Sequence, residues 1–218
     1  MIVSLTQYES NFMENQGLSL FDLIIKGGII MVPIAVLSIL SIYFMIERAV
    51  YITKAFQLEN NFMNNIKDHL GKGDIKAAQA YCQRINSPIS RVIEKGITRI
   101  GKPIKDIESA MESVASLELD KVEKNLSFLG LTAGVAPMLG FIGTISGIIK
   151  IFYDIAQSNN ISIDVIAGGL YVKMITSGAG LIVGVLAYTG YHILNSRIDR
   201  FNHKMQATAV DFIDILES

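Results

Sequence analysis

The amino-acid sequence predicts an all-α membrane protein, with three transmembrane helices and long helices extending into a cytoplasmic helical bundle. Three observations carry this. Half of the 218 residues are hydrophobic and only 18% are charged. The mean hydropathy is +0.41, too apolar for a soluble domain of this size. Three uncharged runs, each long enough to cross a bilayer, alternate with segments whose apolar residues recur at helical spacing. As buried helices of a soluble fold, three such runs would outstrip the polar residues left to cover them.

Taken in order, the opening residues MIVSLTQYESNFMENQG carry acids where a secretory signal has a basic start and a small-residue cleavage site. Residues 1–23 are therefore expected to remain as an extracytoplasmic N-terminal segment. The first transmembrane helix is expected over 24–47, around the uncharged run GGIIMVPIAVLSILSIYFMI, which Glu47 and Arg48 close. About 20 residues at 1.5 Å each span the ~30 Å of hydrocarbon.

Residues 48–124 are expected to form a cytoplasmic helical region. Ile93, Ile97 and Ile100, then Ile104, Ile107, Met111 and Val114, recur at helical spacing. Breaks are expected at Gly71 to Asp74, at Ser87-Pro88 and at Gly101-Lys102-Pro103, with Pro88 and Pro103 each suited to a first helical turn. The run ESVASLELDKVEKN then meets the next apolar stretch with no glycine or proline between, so one unbroken helix is expected to enter the second span. That span is placed at 125–156, an extracytoplasmic turn at 157–164 and the third span at 165–196. Residues 197–218 follow as a cytoplasmic C-terminal helix, whose stripe of Ile198, Phe201, Met205, Ala209, Phe212 and Ile215 or Leu216 should return it to the bundle.

Orientation rests on the basic residues. Thirteen of the 19 lie between Arg48 and Lys124, and Arg197, Arg200 and Lys204 follow the third span. Positive residues mark the cytoplasmic side, which places the C-terminus there and the N-terminus opposite. Cys82, the one cysteine, rules out an internal disulfide or a thiol cluster and suits a reducing compartment. His69, His192 and His203 share no helix face at metal-binding spacing, and no phosphate loop or nucleophile motif is present. Neither an enzyme, a metal, a cofactor nor a nucleic-acid partner is expected.

Inside the spans the composition is unusual. Gly140, Gly143 and Gly147 in the second and Gly180 and Gly184 in the third let helix backbones approach closely, so these faces read as helix packing. The first span, rich in Ile, Leu and Met, suits the lipid-facing outside of an assembly. Thr144, Ser146, Thr176 and Ser177 lie near mid-membrane, where a hydroxyl either bonds back to its own helix or lines a polar path; spacing alone does not choose. Lys150, Asp154 and Lys173 lie toward the outer ends of their spans, where lysines snorkel or pair with Asp154 or Asp164. Lys173 also precedes Ser177 by one turn on the same face, which suits the mouth of a path. Pro137 should kink its helix and free a carbonyl.

At APMLGFIGTISGIIKIF and AGGLYVKMITSGAGLIVGVLAY the chain resembles the MotA/TolQ/ExbB proton channel family, nearest its ExbB/TolQ branch. The Glu47-Arg48 pair resembles the E-R pair that closes the family's first span. The resemblance implies a multi-pass subunit of the bacterial inner membrane, with five copies ringed around two single-span ExbD/TolR-like partners. Ion flow would drive rotation and pass force to a TonB-like or TolA-like protein. By position, Thr144 and Ser177, with Thr176 beside it, match the polar residues lining the ring, while the proton-carrying acid belongs to the partner. One position departs: many relatives place a glutamate where this chain has Val172. Its absence leaves open the transported ion, and it leaves a non-conducting membrane scaffold as an alternative beside an ExbB-like or TolQ-like motor role.

Overall fold

The computed structural model describes residues 28–56, 58–59, 61–158 and 163–217. Seven helices account for nearly all of them: α1 (Met31–Ala55), α2 (Phe62–Gly71), α3 (Ile75–Ile85), α4 (Pro88–Ile97), α5 (Ile104–Glu123), α6 (Leu126–Ser158) and α7 (Ile163–Glu217). No strand occurs among the described residues. The expected N-terminal segment at 1–23, the first residues of the first span and the centre of the turn at 157–164 lie outside them.

Among the described residues three helices are long and apolar enough to cross a membrane: α1, α6 and the span-length part of α7. The chain is thus an all-α membrane protein. The first span is not a helix that stops at its charges, since α1 runs on through Glu47 and Arg48 to Ala55. The amphipathic C-terminal stretch is likewise no separate helix, because α7 is continuous from Ile163 to Glu217.

A further expectation is corrected. No unbroken helix enters the second span: α5 ends at Glu123, Lys124 turns extended (φ −48°, ψ 136°) and Asn125 takes a left-handed φ of 64° before α6 begins. Asparagine is among the few non-glycine residues that adopt this conformation at low cost. Elsewhere the breaks fall where expected. Ser87 caps α4 in a reciprocal capping box with Ser90, and Pro88 fills the first turn. Asp74 caps α3 by accepting the Ala77 N–H at 3.0 Å. Pro103 stands one place earlier than anticipated, at the N-cap of α5.

The chain divides into two compact units. The span unit holds the described residues up to Ile42 together with Leu129–Thr189; the bundle unit holds Tyr43–Phe128 and Gly190–Ser218. In the bundle unit α2, α3, α4 and α5 each pack on the next. Its core is built of large apolar side chains, among them Phe62, Ile66, Ile89, Ile93, Phe201 and Phe212, all under 2% exposed. Ile198, Phe201, Met205 and Phe212 of the predicted C-terminal stripe are buried there. Gly96 of α4 leaves room for Phe212 and Met111, whose side chains any Cβ at this position would strike.

Candidate functional site

The span unit places the second and third spans together through their small residues. Gly184 meets the Pro137 ring, Gly180 meets the Ala136 carbonyl and the Gly140 backbone, and Gly140 meets the backbone of Thr176 and Ser177. Further along, Gly143 lies against the Thr176 methyl, Gly147 against the Lys173 stem, and Gly169 against Ile151. Numbers rise along α6 as they fall along α7, so the pair is antiparallel. All five glycines assigned to helix packing lie on this seam. A Cβ at Gly180 would sit 2.5 Å from the Ala136 oxygen, so the approach is backbone to backbone and requires glycine.

Pro137 has a specific place in the seam. As a proline it leaves the carbonyl four residues back, on Ala133, without its helical N–H. That oxygen faces Gly184, where a Cβ would come within 3.2 Å of it. A backbone Cα–H contact from glycine is the weak donor such helix interfaces commonly supply.

The hydroxyls divide. Thr176 is fully buried between the helices. Thr144, half-buried, donates to its own helix at the Gly140 carbonyl (3.2 Å) and lies 3.3 Å from the Lys173 carbonyl of α7. Ser146 is exposed and bonds back to Gly143 (3.1 Å). Ser177 is half-buried, and its hydroxyl has no hydrogen-bond partner among the described residues. Thr144 and Ser177 thus flank the same stretch of seam at Gly140, each partly open. Lys150 and Asp154 are exposed, and Lys173 lays its stem over Gly147; these three form no ion pair among the described residues. Outside the seam the helices turn large apolar side chains outward, including Met138, Phe141, Ile145, Leu181 and Val185.

In the bundle unit the predicted Glu47-Arg48 pair is an ion pair. Arg48 is 4% exposed, stacks over Tyr51 and donates to the Lys121 carbonyl at 3.1 Å. That carbonyl is one of the last four of α5, which lack helical partners, so Arg48 ties α1 to the end of α5. The doublet was legible as a sequence pair; its carbonyl acceptor was not, because a backbone oxygen leaves no mark in a sequence. Sequence reasoning also missed Glu118, a 3% exposed acid held by Arg91 and by Lys121 at 2.6 Å. Burial pushes its carboxyl up, but the hydrogen bonds and charges of Arg91 and Lys121 outweigh that and hold it below the usual 4.5. On α6, Thr132 is fully buried and was not singled out. The signal was present, a small residue four before Ala136 and eight before Gly140.

The sequence model of the MotA/TolQ/ExbB proton channel family matches residues 84–207. Of individual proteins, one from Methanothermobacter thermautotrophicus, designated a biopolymer transport protein ExbB homolog, is 29% identical over 80% of this chain. The chain spans 62% of that relative's length. The Tol-Pal system protein TolQ of Haemophilus influenzae is 23% identical over 91% of this chain and 94% of its own. The biopolymer transport protein exbB1 of Vibrio cholerae is 30% identical over 54% of each.

Proposed function

Because the chain belongs to the MotA/TolQ/ExbB proton channel family, we propose that it is the channel-scaffold subunit of an ion-driven motor of the ExbB kind, energising TonB-dependent transport across the outer membrane. On this reading five copies form a ring in the bacterial inner membrane around two ExbD/TolR-like single-span partners. The bundle unit lies in the cytoplasm, as the thirteen basic residues between Arg48 and Lys124 favour. The observation that carries the reading is the placement of Thr144 and Ser177, two partly open hydroxyls beside a seam otherwise closed by glycine.

A hydroxyl that faces a partner helix can donate a hydrogen bond to that helix's carboxylate in a low-dielectric ring. An unpartnered carboxylate there is costly, so the hydroxyls ease its passage without a fixed charge of their own. This suits a chain with Val172 where relatives often carry glutamate. Lys173, one turn from Ser177, would stand at the mouth of the path.

The test replaces both hydroxyls, Thr144→Val with Ser177→Val, in cells that depend on the chain for motor-driven uptake. Uptake should be lost while native mass spectrometry of the membrane complex still shows the ring with its partner. Unchanged uptake would remove both residues from the ion path. Thr144 and Ser146 do bond back to carbonyls, and this favours a second reading as a non-conducting scaffold; unchanged uptake together with an intact complex is its expected result. A TolQ-like role in envelope integrity uses the same site, and loss of envelope integrity in place of uptake would identify it.

A further inference from the structure

Between α5 and the C-terminal part of α7 runs a groove of about 770 Å³, wholly within the bundle unit. Its floor is apolar, with the buried Met111 and Met205, and Leu119 and the exposed Val210 also line it. Its rim carries Glu108, Glu112, Asp214 and Glu217, all exposed, and no basic residue lines it. Four carboxylates around an apolar trough repel one another and favour an occupant that brings both an apolar anchor and positive charge.

The same unit carries such an element. Ile75, at the start of α3, is 42% exposed, and it is the sole exposed large apolar side chain of α2, α3 and α4 among the described residues. Lys72 and Lys76 flank it, both exposed, and Lys67 lies one turn further back on α2. Asp68 and Asp74 only partly offset these lysines, and Asp74 is engaged at the α3 cap. Neither Lys72, Ile75 nor Lys76 lines the groove, so this corner and the groove are different surfaces of one unit.

We propose that the groove receives the α2–α3 corner of a second copy of this chain, with Ile75 on its apolar floor and Lys72 and Lys76 facing its carboxylates. The inference rests on the assembly reading above and adds which surfaces meet. Because the two surfaces differ, each copy offers one and fills another, and such a head-to-tail contact closes into a ring when its rotation permits.

The test uses the full-length chain with its partner in membranes. Cys82 stays in place, since burial, with Glu94 adding, pushes its thiol up to about 12 and leaves it inert. Ile75→Cys with Val210→Cys, or with Ala209→Cys, should give a ladder of covalent oligomers on mild oxidation, whereas each single variant should give none. Glu112→Lys with Asp214→Lys should abolish the ladder, and adding Lys72→Glu with Lys76→Glu should restore it. No ladder from either pair, with native mass spectrometry showing the assembly intact, would overturn this interface and leave the assembly reading standing. A monomeric unmutated chain would overturn both.

Discussion

The two units of this chain solve opposite packing problems. In the bundle unit the interior is built of large side chains, with Phe62, Phe201 and Phe212 at or below 1% exposure. In the span unit the interior is the seam, closed by Gly140, Gly143, Gly147, Gly180 and Gly184, and large side chains such as Phe141 and Leu181 point out. Water drives the first arrangement by rejecting apolar surface. Lipid does not, so helices there gain from close backbone contact and leave bulk to the surroundings. A phenylalanine is therefore core at Phe212 in one unit and exterior at Phe141 in the other.

The sharpest way to break this comparison is to remove one ring from each unit. Phe212→Ala should destabilise the chain by about 3–5 kcal/mol, the usual cost of truncating a buried aromatic, read from denaturant unfolding in detergent. Phe141→Ala should move the same transition by no more than ~0.5 kcal/mol. An equal loss at Phe141 would show that this outward face is packed within a single chain.

A smaller effect is expected at the buried acid. Glu118→Gln removes the charge that Arg91 and Lys121 share, at a cost of about 1–3 kcal/mol because both bases keep some water. The sign in pH follows from its lowered pKa. Above the usual 4.5 the carboxylate's contribution is fully present, and it is lost as pH falls through the depressed folded value. Unfolding midpoints of the parent and Glu118→Gln chains should converge on acidification below that range; a constant gap down to strongly acid pH would remove the ion pairs as its cause.

Glycine supplies the third contrast. Gly180→Ala drives a methyl into the Ala136 carbonyl and should cost about 1–3 kcal/mol or disrupt the α6–α7 pair outright. Gly134→Ala, on α6, meets nothing within 4 Å and should be neutral or slightly stabilising. Thermal scans of the two variants in one detergent decide it, and equal behaviour would mean that the seam tolerates separation.

Much of this was legible in the residues. Uncharged runs marked the spans because charge in hydrocarbon is costly, and the small residues four apart marked the seam because only they permit its approach. The capping sequence at Ser87-Pro88 announced α4. The end of α5 was hidden, because Asn125 breaks the helix by taking a left-handed conformation, which an asparagine in a charged run does not advertise. Glu118 was hidden for a related reason. In ESVASLELDKVEKN it is one acid among several, and its burial depends on Arg91 of another helix.

The rings of Phe56 and Phe201, which meet edge to face with centroids 5.2 Å apart, set an order in time. The first of them leaves the ribosome early and the second only after all three spans have been made. Until then the bundle unit is a half-closed box: Phe56 lacks its neighbour, and the hollow at Gly96 and Met111 that Phe212 fills stands open. Contacts this distant in sequence form late and leave apolar surface uncovered meanwhile. A chain released before Phe201 and Phe212 would have its spans and an unfinished bundle unit, a substrate for quality control rather than for assembly.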